Sequence, residues 1–86
     1  MYFSLMKRVR KNEVPVVVVQ LGLRIKTIIE EKGLKQREVA HDAGLDVENL
    51  RKYIKGIQEM KISTVYRIAE ALQISIDELL INVKRD

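Results

Sequence analysis

The sequence contains no cysteine and no tryptophan, and only one histidine and one proline. Without cysteine there are no disulfides, no thiolate metal sites and no thiol nucleophile, a composition that fits a reducing cytosol. His41 alone cannot build a histidine metal cage. No stretch approaches the roughly 18 consecutive apolar residues of a membrane span. At the N-terminus the apolar residues precede the basic ones, the reverse of a secretory signal. What is present is 86 residues, which implies one domain with a core just sufficient to fold alone. With 47% hydrophobic and 33% charged residues, the chain has the composition of a soluble globular protein rather than a disordered one. No nucleophile–base pair or carboxylate pair stands out, so neither an enzyme nor a bound cofactor or metal is expected.

Charge is unevenly placed. The net charge is +4, compatible with a polyanionic partner. Lys7, Arg8, Arg10 and Lys11 against Glu13 give the first 20 residues a net +3, whereas the remaining 66 carry 12 basic and 11 acidic side chains. The same N-terminal segment is rich in β-branched residues, Val14-Pro15-Val16-Val17-Val18-Val19, and Phe3, Leu5 and Val9 share one face of an extended chain. It reads as a β-hairpin turning at Lys11-Asn12-Glu13, or as a strand pairing with a second copy. The alternative is that Pro15 sits at the start of an early first helix.

From Leu21 onward the apolar residues recur at helical spacing. Leu21, Ile25, Ile28 and Ile29 form one stripe, which Gly33 ends. Val39, Ala40 and Ala43 mark a short second helix over 36–43, followed by a tight turn at Ala43-Gly44-Leu45. Asp46 is a good N-cap for a third helix carrying Leu50, Tyr53 and Ile54 and ending at Gly56. Ile62, Val65, Ile68, Ala69 and Leu72 predict a fourth, with Tyr66 and Tyr53 expected in the core rather than as base-stacking platforms. Ser75 and Glu78 form a capping box opening a fifth, with Ile76, Leu79 and Leu80 buried. The expected architecture is an all-α bundle of five short helices over 20–82, with 1–19 as a basic, β-prone appendage and 83–86 as a tail.

The most informative stretch runs from Gln36 to Leu50. Two short helices joined by a glycine-containing turn cross steeply and prop the second outward on the first. A helix held that way fits the major groove of B-DNA, its N-terminal residues meeting base edges.

From Leu21 to Leu80 the sequence resembles the phage-repressor and Cro-like (Xre-type) helix-turn-helix family. The resemblance rests on Leu21-Gly22 and Arg24-Ile25, on Lys32-Gly33-Leu34-Lys35-Gln36, and on Val39-Ala40 with Ala43-Gly44-Leu45. Leu50 and Gly56, Ile68-Ala69-Glu70-Ala71-Leu72 and Ile74-Ser75-Ile76-Asp77-Glu78-Leu79-Leu80 complete it at the family's spacing. It implies a five-helix lambda-repressor-like domain that binds double-stranded DNA as a small dimeric transcriptional regulator, in the cytoplasm of a prokaryote and on its nucleoid. By position, Gln36 matches a phosphate-binding glutamine. Val47, Glu48 and Lys52 match positions facing base edges, with Asn49 and Arg51 close by, and Lys55 and Lys61 match phosphate contacts. Lys52 or Arg51 suits guanine, Asn49 adenine, Glu48 the N4 amine of cytosine and Val47 a thymine methyl.

Each position also has a plainer role. Gln36 can merely open its helix, Glu48 serve the helix dipole, Val47 half-bury beside Leu50, and Arg51, Lys52 and Lys55 form a solvated face. His41 is expected on the surface with no role. The sequence also departs from the family. A salt bridge that commonly joins the first and third helices falls at Ile29 and Ile54, predicting apolar packing there instead. Lys35 stands where a Ser or Thr cap is usual, and Met60 where Pro is common. Dimerisation is expected through the fifth helix with Ile81 and Val83, or through the valine strand. Lys7–Lys11 are an alternative DNA-touching arm. The competing reading is a protein-interaction module, antitoxin-like or docking, that uses the bundle as scaffold; Glu48 and the near-neutral bundle support it.

Overall fold

The computed structural model describes residues 14–81 and 83. Its elements are α1 (Val16–Glu31), α2 (Gln36–Asp42), α3 (Val47–Lys55), α4 (Ile62–Leu72) and α5 (Ile76–Leu80). The all-helical bundle expected from the apolar periodicity is therefore present. One element differs at its start. Val16–Val19, read as a strand, are the first turn of α1, which follows Pro15 at φ −62° and ψ 154°. Packing decides this. Four valines together cost at most about 3 kcal/mol relative to alanine in a helix, which burial of Val18, contributing about 1.5–3 kcal/mol, and part-burial of Val17 and of Val19 (38% exposed) offset. Val18 is buried, and Val19 lies against Gly56 beyond the far end of α3. A helical Val16–Val19 leaves no valine strand to pair with a second copy. The hairpin turn at Lys11-Asn12-Glu13 and the basic run lie outside the described residues.

The core is one cluster drawn from every helix: Ile25, Ile28 and Ile29 of α1, Val39 and Ala40 of α2, Leu50, Tyr53 and Ile54 of α3, Val65, Ile68 and Leu72 of α4, and Leu79 of α5. Ile29 and Ile54 are both buried within it, so the positions that often hold an ion pair contribute apolar area. Such replacement in a buried site is often neutral or stabilising. The backbones of α1 and α3 nearly touch at Gly22, where a Cβ would fall 2.3 Å from the Tyr53 carbonyl oxygen and 2.7 Å from that of Ile54. Any side chain there would push the two helices apart.

Three residues read on buried stripes are on the surface, Ile62 (68% exposed) among them. Tyr66 is 53% exposed. Val65, Ile68, Ala69 and Leu72 hold the inner face of α4, while Ile62, Tyr66 and Glu70, four residues apart, line the outer one. Leu80 is 40% exposed. In a five-residue helix, Leu79 takes the inward position with Ile76 half-buried one turn earlier, and the next residue turns outward by about 100°. Arg24 of α1 donates to the Glu78 carbonyl oxygen at 3.0 Å, bringing a cation to the C-terminal turn of α5, where it is favoured.

Candidate nucleic-acid interface

The α2–α3 unit is positioned by its buried side and by its turn. Val39, Ala40 and Ala43 leave almost no surface exposed, and Leu50 leaves none. Between the helices Gly44 adopts φ +71°, a left-handed conformation that side chains with a Cβ take at a cost. This lets the Gly44 N–H donate to His41 O (3.1 Å) and the Leu45 N–H to Ala40 O (2.8 Å), satisfying carbonyls at the end of α2. Asp46 then caps α3 as expected, its carboxylate accepting from the Glu48 N–H at 2.9 Å. Its removal would cost about 1 kcal/mol.

With Leu50, Tyr53 and Ile54 buried, the outer face of α3 presents Glu48, Asn49, Arg51, Lys52 and Lys55, all exposed. Val47 is half-buried and packs on the core. Glu48 is engaged within the helix: its Oε2 accepts from Arg51 Nη1 at 3.0 Å. An exposed pair of this kind is worth a few tenths of a kcal/mol; its larger effect is to orient the guanidinium along α3.

Gln36, Arg51 and Lys55 line a common cleft of about 400 Å³ together with Leu23, Lys26 and Ile54. Three of the sequence-derived candidates thus converge on one side of α3, where the first turn of α2 meets α1. Asn49, Lys52 and Glu48 stand on the exposed face of α3 itself. Lys61 is separate. It is the N-cap residue of α4, makes no side-chain cap bond, and is absent from the cleft lining. Lys35, the N-cap residue of α2, likewise makes no side-chain cap bond, so the replacement of Ser or Thr there leaves that end of the helix without a side-chain acceptor. Leu23 and Lys26 were not singled out from the sequence. The available signal was Leu23 itself, a large apolar residue lying off the Leu21–Ile29 stripe and 51% exposed. His41 is exposed beside Asp42. Among the described residues no group of three or more His, Cys, Asp or Glu could hold a metal, and no helix is long and apolar enough to cross a membrane.

A short helix propped on a glycine turn with its polar face outward defines a helix-turn-helix protein, and comparison with known proteins agrees. Residues 25–79 match the helix-turn-helix family model, and the chain belongs to that family. It is 35% identical over 57 residues to YopO of Bacillus subtilis (strain 168), described as an SPbeta prophage-derived uncharacterized HTH-type transcriptional regulator; the match covers 66% of this chain and 81% of that protein. The restriction-modification controller protein C.AhdI of Aeromonas hydrophila superposes with a TM-score of 0.70 at 29% identity, covering 72% of this chain and 94% of its own. The clp gene regulator ClgR of Corynebacterium glutamicum shares the fold, with a TM-score of 0.75 at 24% identity over 78% of this chain and 71% of that one. Family and relatives together support DNA-binding transcriptional regulation as the function of this chain.

Proposed function

We propose that the protein reads a specific sequence in double-stranded DNA by placing α3 in the major groove, and that it does so as a homodimer. The observation that carries this is the two-sidedness of α3. Leu50, Tyr53 and Ile54 fix the helix to the core, while Asn49, Arg51, Lys52 and Lys55 project from a rigid, capped backbone. In this reading Lys52 and Arg51 address guanine and Asn49 adenine. Gln36 and Lys55, on the flanking cleft, approach phosphates, as does Lys61 at the start of α4. Glu48 holds Arg51, and Val47 supports the first turn of α3 and offers its remaining surface to a thymine methyl.

Two half-sites are needed because one such helix supplies few contacts. The self-association surface is assigned to α5, where Leu80 and Ile81 expose apolar area. Acting as a regulator on a prokaryotic or phage duplex places the protein in the cytoplasm and assigns it no catalytic role.

The test is selection of bound sequences from a random duplex pool, followed by affinity measurements with the full chain. A defined, two-fold symmetric site bound well above random duplex, and weakened by Lys52→Ala, is the expected result. Binding that is only salt-sensitive and sequence-independent, and indifferent to Lys52→Ala, would instead favour a protein-interaction module built on the same bundle.

A further inference from the structure

The cleft beside α3 has a composition that DNA backbone contact alone does not require. Its apolar lining comes from Leu23 and Ile54, and its polar lining from Lys26, Arg51, Lys55 and Gln36. A phosphate diester needs donors and cations but gains nothing from a half-exposed leucine, whose apolar surface in contact with water is unfavourable. At about 400 Å³ the cleft lies within the range of small-molecule sites, roughly 300–1,000 Å³, which combine apolar walls with a few convergent polar groups. Three cations around an apolar wall select for negative charge at one end of the ligand and apolar bulk at the other. Arg51 retains donors for this, since its bond to Glu48 is made by Nη1 and a guanidinium carries five N–H groups.

We propose that this cleft binds a small organic anion, an acidic head group on an apolar body, and that the bound anion and DNA exclude one another. The apolar body lies on Leu23 and Ile54, and the head group meets Lys26, Arg51, Lys55 and the Gln36 amide. The ligand site stands on the cleft alone. The exclusion rests on the functional reading above, in which Gln36, Arg51 and Lys55 face DNA. The protein would then be a regulator whose DNA-binding surface carries its own effector site.

The experiment uses the full chain and 8-anilinonaphthalene-1-sulfonate, which has a sulfonate on an aromatic body. Without DNA, the dye should saturate a single site and shift the NMR methyl signals of Leu23 and Ile54. Leu23→Gln and Lys26→Gln, both at exposed helical positions, should each weaken binding roughly threefold or more with unchanged circular dichroism. Dye binding that ignores both substitutions would overturn the site. So would displacement of the dye by inorganic phosphate as effectively as by decanoate, because the apolar wall would then contribute nothing. Adding the selected duplex should release the dye. Dye and duplex bound together would overturn the exclusion. A protein that binds no DNA would overturn the functional reading and the exclusion with it, leaving the ligand site to stand or fall on the dye data.

Discussion

Helices α3 and α5 begin in the same way and end with opposite surfaces. Each is opened by a side-chain oxygen accepting a backbone N–H, Asp46 for α3 and Ser75 (3.0 Å from the Glu78 N–H) for α5. Each is anchored by one leucine with no exposed surface, Leu50 and Leu79. Outward, α3 shows cations and amides, whereas α5 shows Leu80 and then Ile81. The difference teaches that capping and anchoring set where a helix sits, while the outward residues set what it offers: cations and amides on α3, apolar surface at the end of α5.

The anchors carry the largest expected effect. Leu50→Ala and Leu79→Ala should each cost about 2–5 kcal/mol of stability, readable by chemical denaturation. The comparison sharpens if only Leu50→Ala also lowers affinity for an isolated half-site after correction for the folded fraction. Next come the outward residues. Lys52→Ala should cost about 1–3 kcal/mol of affinity for the selected site and leave solution mass unchanged. Ile81→Asp should raise the dimer dissociation constant by about tenfold or more, seen by sedimentation, with affinity for an isolated half-site preserved. If instead Ile81→Asp leaves the mass untouched, the contrast between the two surfaces fails. The caps come third: Asp46→Ala and Ser75→Ala should each remove about 1 kcal/mol, and only the first should disturb binding to an isolated half-site. Smallest of all, Glu48→Gln should change stability by no more than about 0.5 kcal/mol. It should also raise affinity for random duplex by freeing Arg51 and removing a negative charge near phosphates.

Much of this was legible from periodicity and punctuation. Asp46, Gly44, Gly56 and the Ser75–Glu78 box announced their helix ends because capping is decided by residues within a few positions of each other. The pairing of Ile29 with Ile54 in one core was legible only through the family's spacing. What was not legible is tertiary. Four valines after a proline favour a strand locally, and the contact of Val19 with Gly56, 37 positions later, outweighs that preference. Tyr66 and Leu80 sit one residue from buried neighbours, and at 100° per residue a single position separates core from surface. Leu23 and Lys26 join Gln36, Arg51 and Lys55 only because α1 crosses α3 at backbone contact. A reading along the chain does not bring residues so far apart together.

The seating of α1 under the end of α3 has a further consequence. With Val19 against Gly56, the chain preceding Val16 joins the bundle about one helical turn from the C-terminal end of α3. Five residue steps separate Lys11 from Val16, and a polypeptide covers at most about 18 Å in five steps. By chain length alone, Lys11 is therefore tethered within about 18 Å of Val16, and Lys7, nine steps away, within about 32 Å, on the side of the C-terminal end of α3. Under the proposed DNA-binding reading, the basic run of Lys7, Arg8, Arg10 and Lys11 would serve as a local reservoir of positive charge. Neutralising those four residues should flatten the salt dependence of DNA binding, and an unchanged slope would show that the reservoir is not drawn upon.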